Sequence, residues 1–230
     1  MNALAIDCAV SKLTVAAKKE NNIVKVTYDI GIRQSEKLLP AIDFVMKEAS
    51  LTCSELDYTA LTSGPGTFTG LRLGLSALKA LTLSHNVPVY GIHSLDCYAW
   101  PFRKTSRRIL SLIEAKEDEY FYSFYQKGEK LTAESDKTTE DILKEIDAES
   151  SVIACGPGRI HFLERTAESF PLYSITSIEN ENDCTQTLFE IAENMIKEKI
   201  PPLADYDGPL YVRKSEAEIV LDQKNAASSK

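Results

Sequence analysis

The stretch from Ser63 to Leu83, SGPGTFTGLRLGLSALKALTL, constrains the fold more than any other part of the chain. Gly64-Pro65-Gly66 must end a strand, because proline cannot donate to a sheet ladder and glycine supplies the backbone freedom of a sharp turn. Thr67 or Thr69 is placed to cap the helix that follows. Gly70, Gly74, Ala77 and Leu81 then recur on one face, with Leu71, Leu75 and Leu78 beside them, and Arg72, Ser76 and Lys79 form a narrow polar strip. Glycine inside a helix costs about 1 kcal/mol relative to alanine, so two glycines one turn apart predict a neighbouring backbone at very close range. Two readings are open: a buried helix of a layered domain, or a helix divided between core and subunit interface.

Around this block, strands and helices alternate. Residues 4–7, 13–19 and 23–29 read as an antiparallel meander, with a tight turn at Asn21-Asn22. Residues 35–50 place Leu38, Leu39, Ile42, Val45, Met46 and Ala49 at helical spacing, with Ser35 as cap and Pro40 as an early kink or first-turn residue. Strands are predicted at 58–64 and 87–92, and an α/β unit closes near Trp100.

The second half repeats the first. Ile6-Asp7 followed by Leu13, Val15 and Ala17 matches Ile113-Glu114 followed by Tyr120, Tyr122 and Phe124 at a constant offset of 107 residues. Ser63-Gly64-Pro65-Gly66 is echoed by Cys155-Gly156-Pro157-Gly158, again after an apolar strand. Two echoes in the same order predict a duplicated α/β domain. Its expected division is an N-terminal subdomain over 1–102 carrying the glycine helix, a C-terminal subdomain over 103–220, and a flexible tail over 221–230. Alternation puts Tyr120, Tyr122 and Phe124 on one sheet face and Phe121 and Tyr125 on the other, a packing pattern rather than a base-stacking platform.

Composition limits the chemistry. With 26 Lys and Arg against 34 Asp and Glu, the formal charge of −8 argues against a free-standing nucleic-acid binder. The basic group Arg103, Lys104, Arg107 and Arg108 reads as a solvated connector. Five cysteines without a CxxC pair fit reduced thiols in a cytoplasmic protein, and neither a signal peptide nor a membrane span is indicated. His85, His93 and His161, spaced by 8 and 68, cannot form an HxxxH pair on one helix face, so no local metal site is predicted. His93 reads as a loop or helix-cap residue. No GxSxG elbow or Walker loop occurs.

Two halves that each open on a strand, a carboxylate and a hairpin resemble the actin, Hsp70 and sugar-kinase superfamily, the duplicated ASKHA or ribonuclease H-like α/β fold with two subdomains. That resemblance implies ATP held between the subdomains by the first turn of each half. Here those turns read Asp7-Cys8-Ala9-Val10-Ser11 and Glu114-Ala115-Lys116-Glu117-Asp118, neither with a glycine. Acids at 114, 117, 118 and 119 against Lys116 would repel a polyphosphate. Asp7 and Glu114 are therefore vestigial phosphate-loop positions, and no cofactor is expected.

A closer resemblance rests on LAIDCA, SEKLLPAI, SGPGTFTGLRLGLSALKAL, VPVYGIHSLD, IEAKEDEYFYSFY and Tyr211-Val212-Arg213, spread over residues 2–213. These are similar to the TsaB (YeaZ) family, subunits of the bacterial machinery that makes threonylcarbamoyladenosine at position 37 of ANN-decoding tRNAs. The resemblance implies a non-catalytic paralogue of TsaD that pairs with a TsaD-type subunit through the helices after Ser35 and Gly66. A TsaE-type ATPase would join the complex, tRNA would be met only indirectly, and no membrane would be involved. The interface residues expected are Leu38, Ile42 and Val45 on one helix and Gly70, Leu71, Gly74, Leu75 and Leu78 on the next. Without its partner the chain is expected to form a homodimer, and Gly74→Leu to keep the fold while abolishing assembly. Gln34 stands where many relatives have histidine, and Cys8-Ala9 where Thr-Ser is usual. The competing reading is an ATP-dependent small-molecule kinase or ATPase using Asp7 and Glu114. A peptidase would need a nucleophile or metal set that the sequence does not display.

Overall fold

The computed structural model describes residues 1–83, 85–147, 151–169, 173–178 and 184–213. The tail expected over 221–230 lies outside them. Strands β1 (Ala3–Asp7), β2 (Lys12–Lys19), β3 (Asn22–Asp29), β4 (Tyr58–Gly64) and β5 (Val89–His93) form one sheet in the order β3-β2-β1-β4-β5. A second sheet contains β6 (Arg108–Lys116), β7 (Glu119–Gln126), β8 (Glu129–Lys130), β9 (Ser135–Thr138), β10 (Val152–Cys155) and β11 (Ile175–Ser177). Its order is β11-β10-β6-β7-β8, with β9 also pairing β7. Each sheet is thus an antiparallel meander whose first strand continues into two parallel strands. The duplication read from the sequence is present in the topology.

Among the described residues, six α-helices complete the layers: α1 (Gln34–Glu48), α2 (Phe68–Thr82), α3 (Ser94–Ala99), α4 (Thr139–Leu143), α5 (Arg159–Ser169) and α6 (Thr185–Lys197). Leu4, Ile6, Leu13, Val15 and Leu61 on one face of the first sheet pack with Leu38, Ile42 and Val45 of α1 and Leu75 and Leu78 of α2. Burying side chains of this size stabilises by about 1.5–3 kcal/mol each. The opposite face is small, with Ala3, Ala5, Ala16 and Ala60, and receives Leu188, Phe189 and Ala192 of α6. Ile109, Ile113 and Tyr125 of the second sheet close that same cluster with α3. Beyond the second sheet, Tyr120, Tyr122 and Phe124 pack with Ile142 of α4 and Phe162 of α5. Helices therefore cover both outer faces and fill the space between the sheets, and the two sides of β7 enter different cores as alternation predicts.

Local details differ from expectation. Lys19 pairs with Asn22, so the first hairpin turns on Glu20-Asn21 rather than Asn21-Asn22, with Glu20 at φ 56°. Helix α1 begins at Gln34 and has no side-chain cap, so Ser35 lies within it and Pro40 sits beyond its first turn. Gln34 fixes this start from elsewhere, because its Nε2 donates to the carbonyl of Val10 at 2.6 Å.

Candidate functional site

The first turn and the glycine helix are one packed unit. A Cβ on Gly66 would stand 2.4 Å from the Ala9 carbonyl oxygen, and one on Gly70 would stand 2.0 Å from that of Cys8. Thr67 N–H donates to the Ala9 carbonyl at 2.7 Å, and Cys8 Sγ–H donates to that of Gly70 at 2.9 Å. The close backbone that the glycines predicted is the chain's own β1–β2 loop. Burial, with help from the Asp7 charge, pushes the Cys8 thiol up to about 12. Asp7 is 1% exposed; its carboxylate accepts from Ala9 N at 3.3 Å, Thr62 Oγ1 at 3.0 Å and Cys184 N at 3.2 Å. It ties the turn to β4 and to the start of α6.

The counterpart turn in the second half has another shape. Strand β6 continues to Lys116 and pairs it with Glu119, leaving Glu117-Asp118 as a two-residue turn with Glu117 at φ 53°. Glu114 pairs with Tyr120 inside the ladder and is exposed, so it lies in the strand and not in a phosphate-holding loop. The glycine turn does recur: Gly158 N–H donates to Leu112 at 3.1 Å, and a Cβ on Gly156 would lie 2.4 Å from that same carbonyl oxygen.

A strap formed by residues 201–213 runs back over the first half. Leu203 N–H donates to Val89 at 2.8 Å and Leu210 N–H to Ser63 at 2.7 Å. Lys79 Nζ donates to three strap carbonyls, those of Ala204 (3.0 Å), Asp205 (2.7 Å) and Asp207 (2.8 Å). The Arg72 guanidinium lies 3.8 Å above the Phe68 ring and donates from Nε to the Tyr211 hydroxyl at 2.8 Å. Past Tyr211, Arg213 bonds Glu119 and Asp136 of the second sheet. The strap also covers the glycine-proline turn, where a Cβ on Gly64 would meet the Leu210 carbonyl oxygen at 2.4 Å.

A charged cluster joins the halves on another side. His93 Nδ1 is 2.9 Å from Glu134 Oε1, and ligand atoms of His93, Asp96 and Glu134 lie within 4.8 Å of one another, close enough to share a metal ion. The Lys130 ammonium instead stands between the acids, 2.6 Å from Asp96 and 3.0 Å from Glu134, where a cation would sit. The bond to Glu134 raises the His93 imidazole against its burial. Burial would raise Glu134, but the bonds from His93 and Lys130 prevail and hold it below the usual carboxylate range. Sequence spacing could not find this set, because Glu134 lies 41 residues from His93.

The eight residues expected at a partner interface are buried within the chain, and of them Leu38 and Gly70 also line pockets at the α1–α2 surface. Leu38, Ile42, Val45, Leu71, Leu75 and Leu78 are buried, and Gly70 and Gly74 abut Cys8. A Cβ on Gly74 would stand 2.6 Å from Cys8 Sγ, so Gly74→Leu would disrupt the fold instead of sparing it. The surface that α1 and α2 do offer is a groove of about 500 Å³ lined by Leu39, Leu73, Ser76, Ala77, Ala80 and Leu81. Leu39 is 65% exposed there.

Two sheets of one plan, joined through a shared helical layer and each bearing a glycine-proline-glycine turn, define a duplicated α/β protein of the actin/Hsp70/sugar-kinase class. The family profile of TsaD, tRNA N6-adenosine threonylcarbamoyltransferase, matches residues 32–204, and the chain belongs to that family, within its TsaB (YeaZ) group. The tRNA threonylcarbamoyladenosine biosynthesis protein TsaB of Buchnera aphidicola subsp. Schizaphis graminum is 32% identical over 143 residues, 61% of this chain and 68% of that protein. The TsaB of Escherichia coli K12 is 28% identical over 147 residues, 63% of each chain. Among solved structures, a Pseudomonas aeruginosa protein described as similar to peptidase YeaZ superposes with a TM-score of 0.77 at 23% identity, covering 92% of this chain and 99% of that one. Pseudomonas aeruginosa YeaZ does so with a TM-score of 0.74 at 21% identity, over 91% and 99%. These two structures share the fold.

Proposed function

We propose that the chain is a non-catalytic scaffold subunit of the machinery that forms N6-threonylcarbamoyladenosine at position 37 of ANN-decoding tRNAs. It pairs with a TsaD-type subunit through the exposed faces of α1 and α2, works with a TsaE-type ATPase, meets tRNA only indirectly, and acts in the cytoplasm as a homodimer when its partner is absent. The observation that carries this reading is the apolar groove along α1 and α2, where exposed Leu39 stands beside half-buried Leu73, Ala77 and Leu81 on helices whose inner faces are already filled. A contiguous patch of this kind on a charged protein favours burial against a partner. No helix among the described residues is long and apolar enough to cross a membrane.

The non-catalytic part of the reading is supported by the condition of the groups that chemistry would use. Asp7 has its carboxylate engaged by three donors, and Glu114 stands in a strand. The Cys8 and Cys155 thiols are pushed up to about 12, chiefly by burial, far from the thiolate that a cysteine nucleophile needs. Against the competing kinase reading, neither first turn contains a glycine and the second closes in two residues.

Light-scattering mass after size exclusion tests the proposal, for the chain alone and mixed with the TsaD protein of the same cell. A homodimer replaced by a stable mixed complex is expected. A monomer indifferent to that protein would refute the scaffold role, and tight Mg²⁺-dependent ATP binding by the isolated chain would favour the kinase instead.

A further inference from the structure

Between α3, the 3-10 turn Trp100–Phe102, β6, β7 and α6 lies a pocket of about 150 Å³, separate from the α1–α2 groove and from both glycine turns. Ala99, Ile109 and Ile191 give it an aliphatic lining, and Trp100, Phe102 and Tyr125 contribute rings. A cavity of about this size accommodates a benzene ring when its lining is apolar.

The polar groups at the pocket are mostly committed. Arg103 stacks 4.5 Å from the Trp100 ring and donates to the Trp100 carbonyl at 2.9 Å and to Glu190 at 3.3 Å. Lys130 is held by Asp96 and Glu134. Asp96 Oδ1 accepts from Tyr125 at 2.6 Å and from Lys130, whereas Oδ2 makes no hydrogen bond among the described residues. Asp96 lines the pocket, with its side chain 35% exposed. The pocket therefore combines an aromatic and aliphatic lining, cations already paired with acids, and the Asp96 carboxylate.

We propose that this pocket binds a small one-ring aromatic molecule bearing a hydroxyl or amine, with the ring between the aromatic and aliphatic side chains and the donor on Asp96 Oδ2. An aliphatic molecule of equal volume forgoes the stacking that Trp100, Phe102 and Tyr125 provide. A ring without a donor displaces water from a carboxylate and returns nothing, which is how a polar site rejects an analogue that lacks its partner group. Because the pocket is built from α3, α6 and the second sheet, its occupant also braces the two halves. The inference stands apart from the assembly reading, since no residue of the groove takes part.

The full chain carries its own reporter, because Trp100 is its sole tryptophan. We expect phenol to produce a saturable change in Trp100 emission, toluene to bind about tenfold more weakly through loss of the donated hydrogen bond, and cyclohexanol to be weaker than phenol. Ile191→Phe fills the pocket and should abolish the response while circular dichroism shows the fold intact. Methyl resonances of Ile109 and Ile191 in the unaltered chain provide a second readout that needs no variant, and phenol should shift them selectively. A non-saturating response, unmoved Ile109 and Ile191 methyls, or a response retained in folded Ile191→Phe would overturn the site. Equal affinity for phenol and toluene would overturn the role given to Asp96.

Discussion

Cys8 and Gly74 are fitted to one another: a methyl on Gly74 would meet Cys8 Sγ at 2.6 Å, while Ile6 and Leu61 would be met at ordinary distances of 3.6 and 3.8 Å. The sulfur fills the space that the missing side chain leaves. Gly74→Ala should therefore destabilise the protein by about 1–3 kcal/mol through overpacking, despite the better helix propensity of alanine. In a Cys8→Ala background the same change should stabilise by up to about 1 kcal/mol. Urea unfolding of the four proteins of this double-mutant cycle measures the coupling, and additive effects would contradict the fit.

The groove on α1 and α2 can be tested without touching the core. Leu39→Asp and Ala80→Glu place charges at exposed groove positions of the two helices. Each should leave the unfolding midpoint nearly unchanged, within about 0.5 kcal/mol, yet abolish both the homodimer and the mixed complex in light scattering. Assembly that survives both substitutions would place the interface elsewhere.

The His93–Glu134 contact predicts a pH dependence whose sign follows from the two shifts. His93 is raised, so its contribution is fully present below the unfolded value of 6.5 and is lost as pH rises through the folded value. Glu134 is lowered, so its contribution is present above its unfolded value of 4.5 and is lost as pH falls through the folded value. Asp96 and Lys130 face the same pair. His93→Gln should remove the loss of stability above pH 6.5, an effect below about 1 kcal/mol because the imidazole is 43% exposed. Stability profiles of the two proteins that remain parallel from pH 6 to 8 would rule the coupling out.

Thiol reactivity separates the cysteines. Cys53 is half-buried, whereas Cys8, Cys97, Cys155 and Cys184 are buried and their thiols raised by burial. Native protein should release the colour of one fast-reacting thiol with a disulfide reagent, and the remaining four only on denaturation. A fast second thiol would show that one of the buried sites opens.

The strap depends on Lys79. Lys79→Met should speed amide exchange at Leu203 and Leu210, whose N–H groups bond Val89 and Ser63, without altering exchange in β1 or β4. Exchange at those two amides that is unchanged would mean that the strap holds without the lysine.

The layered α/β plan was legible because period-two and period-3.6 patterns are distinct, and because the glycine turns recur in order. The constant offset of 107 does not carry into the strand pairing: Asp7 pairs Thr14, while Glu114 pairs Tyr120, since the second hairpin closes in two residues. Periodicity also identifies which residues share a face without saying what covers it. Leu38, Ile42, Val45, Leu75 and Leu78 make the same pattern against a sheet of the same chain as against another subunit. The narrow polar strip of Arg72 and Lys79 was legible but its partners were not, being a tyrosine 139 residues from Arg72 and backbone carbonyls, which carry no side-chain signature. For the same reason the strap, PLADYDGPLYVR without periodicity, gave no sign of its course, although Tyr211-Val212-Arg213 entered the family resemblance.

The position of α6 has a consequence for how the molecule is made. Ala3, Ala5, Ala16 and Ala60 present a shallow apolar face that Leu188, Phe189 and Ala192 cover from nearly the other end of the chain. A ribosome that has released the first hundred or so residues has delivered all five strands of the first sheet with one side covered only in part, by α3 over β4 and β5. That half must wait, exposed to chaperones and to sticking partners, until synthesis reaches α6, so the two halves reach their native state together although each repeats the same plan.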